Sequence, residues 1–131
     1  MTSWTTEELR MIGESEELRI AALRPDGTPR NMVTIWVVRL GNDLYVRSVN
    51  GRFSGWFRGV QTRHEGCIHL GDVETNVEFV EESDPELNNK IDAAYASKYR
   101  RYAAGIIQQI NSPGARAATL RLVRRACITA K

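Results

Sequence analysis

The chain has 131 residues, enough for one domain with a real core and too few for two. Its 42% hydrophobic and 26% charged residues are those of a folded globular protein, and a formal net charge of +2 excludes a polycation built to coat nucleic acid. No run nears the ~20 apolar residues of a membrane span, and Met1 to Arg19 lacks the apolar stretch of a secretory signal, so a cytoplasmic protein with no nucleic-acid or membrane partner is expected.

Thr5-Thr6-Glu7-Glu8 is the pattern of a capping box and predicts a short helix ending near Gly13, with Leu9 and Ile12 toward the core. Leu18, Ile20 and Ala22 alternate as in a strand. Pro25-Asp26-Gly27-Thr28-Pro29 is a turn, because proline presets φ and glycine allows a positive φ. Met32 to Leu40, MVTIWVVRL, reads as one central strand buried on both faces. Gly41-Asn42-Asp43 turns it into Leu44 to Val49, making a hairpin.

Trp56 to Arg63 predicts one or two helical turns, Cys67 to Leu70 a short strand, and Val73 to Val80 a half-exposed strand with Val73, Thr75, Val77 and Phe79 on one face. Ser83 or Asp84 caps a long helix with Pro85 at its first position. Leu87, Ile91, Tyr95, Tyr99, Tyr102 and Ile106 recur along it at helical spacing. Ser112-Pro113-Gly114 ends the pattern, and Ala117 to Val123 is a last strand with Leu120 and Leu122 facing one way. Hairpin-length connections predict antiparallel pairing: an α+β domain over residues 1–131, built as a small antiparallel barrel with flanking helices.

Leu44 to His64 is the stretch richest in chemistry. It holds Arg47, Arg52, Arg58 and Arg63 and no acidic residue, interleaved with Gly51, Gly55, Gly59, Ser48, Ser54, Phe53, Trp56 and Phe57. Backbone amides, hydroxyls and guanidinium forks at a strand-to-helix junction suit a phosphate or carboxylate, and the aromatics suit a flat ring. The opposing reading is a solvated basic loop over a Trp-Phe anchor. The acidic run from Asp72 to Asp92, eight acids against Lys90, favours a local anion site over a broad DNA-binding face. Arg47 and Ser48 are adjacent on one strand, so if Ser48 faces a ligand crevice, Arg47 faces away.

Two cysteines, Cys67 and Cys127, form no CxxC pair and are expected as free thiols in a reducing compartment. His64 and His69 have no HExxH spacing and no evident third ligand, so no metal site is expected. The chain has no GxSxG elbow, Walker loop or GxGxxG, which leaves hydrolases and nucleotide triphosphatases without support.

Gly27-Thr28-Pro29-Arg30 followed by Val33-Thr34-Ile35-Trp36-Val37-Val38, then Leu44-Tyr45-Val46-Arg47-Ser48, Gly51 and Trp56-Phe57, and finally Tyr95, Tyr99, Tyr102, Arg116 and Leu120, resemble motifs of the flavin-binding split-barrel proteins. That group includes pyridoxamine-phosphate oxidases and deazaflavin-dependent nitroreductases. The chain is also similar to a family of short proteins catalogued only as a domain of unknown function. The resemblance departs from the pattern before the last strand, where Ser112-Pro113-Gly114-Ala115-Arg116-Ala117 stands, and near the N-terminus, where Glu14, Glu16 and Glu17 lie.

The resemblance implies a split barrel, FMN or a deazaflavin as cofactor, hydride transfer to a small organic acceptor, and a homodimer. On that reading Thr34, Ser48, Arg52, Arg58 and Trp56 orient the cofactor, and Tyr99 or Tyr102 meets the substrate. The tyrosines at i, i+4 and i+7 share one helix face, which suits either a proton donor or a packed stripe. A non-catalytic ligand-binding module on the same barrel is the alternative.

Overall fold

The computed structural model describes residues 3–71 and 73–125; Cys127 lies outside them. The first helix, α1 (Thr6–Glu14), opens on the expected capping box: Glu8 N donates to Thr5 Oγ1 (3.0 Å) and Thr5 N to Glu8 Oε1 (2.9 Å). Leu9 and Ile12 are buried. Strand β1 (Leu18–Ala22) leads into the expected turn, where Gly27 takes φ +93° and Thr28 N donates to Asp26 Oδ1 (2.9 Å).

The stretch expected as one central strand is two edge strands. β2 (Val33–Ile35) pairs with β1, and β3 (Val38–Leu40) pairs with β4 (Asp43–Arg47) through a two-residue Gly41-Asn42 turn. The remaining strands are β5 (Glu65–Leu70), β6 (Val73–Glu81) and β7 (Thr119–Arg124). All pairings are antiparallel, in the order β2-β1-β5-β6-β7-β4-β3. β2 and β3 are therefore the two outer edges of the sheet, yet only Trp36 and Val37 separate them. The three Cα–Cα steps from Ile35 to Val38 span at most ~11 Å, so the sheet must curl until its edges meet. That is a split β-barrel, the fold class the sequence led us to expect.

The gap left at Trp36-Val37 has no ladder partner, and side chains fill it. Val37 N donates to the Tyr99 hydroxyl (3.2 Å), which in turn donates to Glu16 O (2.6 Å). Lys98 Nζ donates to Val37 O (2.6 Å). Buried backbone groups cannot go unpaired, and a strand broken at this point would otherwise leave two.

Both residues come from the end of α3 (Pro85–Lys98), capped by Asp84 with Pro85 in its first turn. The long helix expected to run past Ile106 stops here. Tyr99 closes it, and the chain turns before α4 (Ala104–Ile110) and the one-turn α5 (Pro113–Arg116), which Ser112 caps. Helix α2 (Gly55–Thr62) follows a 3₁₀ turn at Gly51–Phe53 and matches the predicted turns.

The curl creates two cores. Inside it, Leu18, Ile20, Val46, Phe57, Phe79 and Leu120 pack together. On the outer side of β3 and β4, under α3, lie Val38, Tyr45, Ile91, Tyr95, Tyr99 and Ile110. Among the described residues no helix is long and apolar enough to cross a membrane.

Candidate functional site

The seam of the barrel holds a cavity of about 430 Å³, within the range of small-ligand sites. Val33, Thr34, Ile35 and Trp36 form one wall. Ser48, Val49 and Asn50, where the chain leaves β4, form a second, and Trp56 in the first turn of α2 a third. Ile106, Gln109 and Ile110 of α4 close it, with Glu17 at its margin. The walls are mainly apolar, and two indoles among them give a ring-shaped ligand flat surfaces to meet.

Trp36 is held from behind. Its ring stacks on Tyr99 at 3.8 Å between centroids and 2° between planes, and Tyr102 tilts against it at 5.0 Å. Here the structure departs from the expectation that Tyr99 or Tyr102 meets a substrate: neither lies on the cavity wall. The Tyr99 hydroxyl is engaged with Val37 and Glu16, and burial pushes its pKa up to about 12. The Tyr102 hydroxyl is hydrogen-bonded to the Glu16 carboxylate. The helix that this spacing predicted ends at Lys98, and the two rings beyond it buttress Trp36 instead of opening onto the cavity.

Of the expected cofactor contacts, Thr34, Ser48 and Trp56 line this cavity. The Ser48 hydroxyl is buried, donates to Gly51 O (2.7 Å) and lies 2.7 Å from Ser54 Oγ. Ser54 in turn accepts from Phe57 N at the start of α2 (3.4 Å). Ser48 therefore shapes the loop that presents Trp56. Arg52 lines neither this cavity nor the arginine recess beside it: it reaches Glu81 (2.8 Å) and Ala117 O (2.9 Å) and lies over the Phe57 ring, tying the 3₁₀ turn to β6 and to the segment before β7.

Arg58 sits in a second, shallower recess of about 470 Å³ with Arg30, Gln61 and Thr62. Among the described residues neither arginine has an ion-pair partner, and Arg30 Nε is buried with no hydrogen-bond acceptor. A buried guanidinium N–H without an acceptor is costly. Arg30 lies across α2 at Gly59, where an added Cβ would stand 2.8 Å from Nε. Gly55 borders this recess and Trp56, the next residue, borders the apolar cavity. An apolar ring site and an uncompensated cationic site thus share the start of one helix.

Reading the sequence alone missed two features. Arg30 was visible only as part of the Gly-Thr-Pro-Arg motif. Arg47 looked like one more arginine of a basic loop, yet its side chain is fully buried. It donates to Asp92 Oδ1 (2.6 Å), Asn111 Oδ1 (2.9 Å), Asn88 Oδ1 (2.8 Å) and Thr119 Oγ1 (2.9 Å). Burial lowers its pKa and the Asp92 carboxylate opposes that. Asn88 and Asp92, one turn apart beside Ile91 on α3, were the available signal: polar groups on a face that is otherwise apolar need a buried partner.

The fold and this seam define a split-barrel protein, as the sequence motifs led us to expect. The chain belongs to the family described as "Uncharacterized protein conserved in bacteria (DUF2255)", whose model matches residues 8–122. No curated protein matches it in sequence. Among solved structures it is similar to the conserved hypothetical protein Rv2991 from Mycobacterium tuberculosis (TM-score 0.72, 14% identity, covering 96% of this chain and 83% of that one). It is also similar to HutZ, the heme storage protein from Vibrio cholerae (0.64, 15%, 95% and 92%), and to a FAD-binding protein from Mesorhizobium loti (0.59, 15%, 95% and 93%). At these identities the likeness is one of fold.

Proposed function

We propose that the protein binds a phosphorylated flavin-type cofactor, FMN or a deazaflavin, and passes a hydride to a small organic acceptor in the cytoplasm. The observation that carries this is the pairing at the start of α2 of an apolar cavity walled by Trp36 and Trp56 with a recess holding Arg30 and Arg58, neither of which has an ion-pair partner among the described residues. A ring with a phosphorylated tail presents that combination of surfaces. The FAD-binding relative shows that this fold serves such a ligand, and the heme storage relative shows that it serves another flat ring.

In this reading Arg30 and Arg58 hold the phosphate, Thr34 and the strand-end backbone at Ser48 and Val49 orient the ring edge, and the two indoles exclude water from its faces. The cofactor supplies the hydride chemistry, so no side chain need act as a nucleophile. A non-catalytic carrier of the same ligand is the second reading. It is favoured by one observation: Glu17 and the fully engaged Arg47 are the cavity's ionisable lining among the described residues.

The protein works as a homodimer. Phe53 is 88% exposed, and Val49 and Ile106, at 45% and 44%, stand on the wall of the cavity itself. Apolar side chains left in water at the mouth of a site are what a second copy would cover.

The test is the visible spectrum of the purified protein, followed by titration with FMN, a deazaflavin and heme. Saturable FMN or deazaflavin binding, with reduction of a small acceptor by the loaded protein, supports the enzyme. Binding without turnover supports the carrier. Binding of heme alone overturns the flavin reading.

A further inference from the structure

The hairpin of β5 and β6 carries three donor groups of different chemistry on one spot. Cys67 and His69 are two residues apart on β5 and so point to the same face of the sheet. Glu74 of β6 is the direct antiparallel partner of His69. The Cys67 sulfur, a His69 ring nitrogen and a Glu74 carboxylate oxygen all lie within 4.8 Å of one another. None of the three lines the cavity or the arginine recess.

We propose that these three residues form a binding site for a zinc-like divalent cation. The geometry is close to what that ion needs. Tetrahedral bonds of about 2.0 Å to nitrogen and oxygen and 2.3 Å to sulfur give donor-to-donor edges of roughly 3.3–3.6 Å. The His69 Nε2 to Glu74 Oε2 edge is already 3.4 Å. The sulfur needs to approach by about an ångström, which side-chain rotation supplies.

The donor set selects among metals. A thiolate, an imidazole and a carboxylate suit zinc or cobalt, whereas magnesium and calcium prefer all-oxygen shells. Thiolate and carboxylate together bring two negative charges, which balance a dication. Arg19, the partner of His69 on its other side, is exposed and forms no ion pair among the described residues, so it does not neutralise Glu74. The ladder between β5 and β6 holds all three ligands, and no loop has to fold around the ion. Three protein ligands leave a fourth position for water or an incoming ligand.

The absence of a metal motif in the chain has a physical explanation. Linear spacing gave His69 no third ligand because Glu74 reaches it across the hairpin, and Cys67 counts only once the strand fixes its face.

The experiment is titration of the purified full chain with cobalt(II) and then zinc(II), in a Cys127→Ser background so that only one thiol remains. One equivalent of cobalt should bind, with a thiolate-to-cobalt charge-transfer band that zinc abolishes. Cys67→Ser should remove the band, and His69→Gln and Glu74→Gln should each weaken binding at least tenfold while the unliganded proteins melt as their parent does. The two latter side chains are partly exposed, so they carry the test even if Cys67→Ser fails to fold. No saturable binding at micromolar metal, no charge-transfer band, or binding indifferent to His69→Gln and Glu74→Gln would overturn the site.

Discussion

At the residue scale, three polar side chains, Arg47 and Tyr99 buried and Lys98 half-buried, decide how this chain closes on itself. Arg47 is the most demanding, because a guanidinium out of water needs every donor met. Asp92 is its counter-charge and also binds Arg116. Asp92→Asn keeps the shape and removes the charge, leaving Arg47 buried without a counter-ion. We expect a loss of about 3–5 kcal/mol, the scale for breaking a buried pair from one side. Urea unfolding of the two proteins checks it, and a change under about 1 kcal/mol would show that the asparagines and Asn88 O already satisfy the arginine.

Lys98 and Tyr99 set the response to alkali. Burial depresses the Lys98 pKa from 10.5 to about 8. Between those values the folded protein has released the proton that the unfolded chain still holds, so stability rises with pH. Burial raises Tyr99 from 10 to about 12, with the Val37 hydrogen bond working against the rise, and Tyr95 is shifted the same way. Above pH 10 the unfolded chain loses phenol protons that the folded one keeps, and stability falls. Unfolding midpoints should therefore climb from about pH 8 and turn down above about pH 10, and Lys98→Met should abolish the climb.

At the scale of elements, what the sequence shows and what it hides divide by range. The α1 capping box, the Asp26-Gly27 turn, the Asp84-Pro85 helix start and the alternation of β6 were legible because the residues that decide them are neighbours. The break at Trp36-Val37 was not. Nothing in MVTIWVVRL marks it, since it is set by Tyr99 and Lys98, some 61–62 residues away. The end of α3 at Lys98 was hidden for the same reason: the tyrosine stripe continues at helical spacing through it. Ser48, Trp56 and Arg58 were singled out because a basic, glycine-rich junction is a local signal, and Thr34 because the strand around it resembles a family motif. Arg30, Arg47 and the α4 side of the cavity needed the tertiary fold.

Strand β5 carries its own test. A Cβ on Gly66 would stand 2.2 Å from Ala21 O and 2.7 Å from the Phe79 ring. The close approach of β1 and the inner core thus depends on a missing side chain. Gly66→Ala should destabilise by about 1–3 kcal/mol, the cost of overpacking, read as a lower melting temperature. An unchanged melting temperature would mean that the β1–β5 seam is looser than described.

At the scale of the whole molecule, the curled sheet puts its two free edges together and builds the cavity at their junction. The apolar residues around that junction predict assembly. Phe53→Glu should shift the protein from dimer to monomer in light scattering without changing its helix and strand content, because Phe53 makes no core contact to lose. A wild-type monomer at all concentrations would end the dimer proposal.

In the proposed function Arg30 and Arg58 read a phosphate while the neighbouring cavity reads a ring. Comparing FMN with riboflavin tests it most directly, since the two differ by that phosphate alone. Fluorescence quenching titrations should show wild-type protein binding FMN roughly ten- to a hundredfold more tightly than riboflavin, the value of one charged hydrogen-bonding partner at about 1.5–3 kcal/mol. In the Arg30→Ala/Arg58→Ala double variant, riboflavin affinity should hold and the advantage of FMN should vanish. Equal affinity for the two ligands in the wild type, or an FMN advantage that survives the double substitution, would contradict the account.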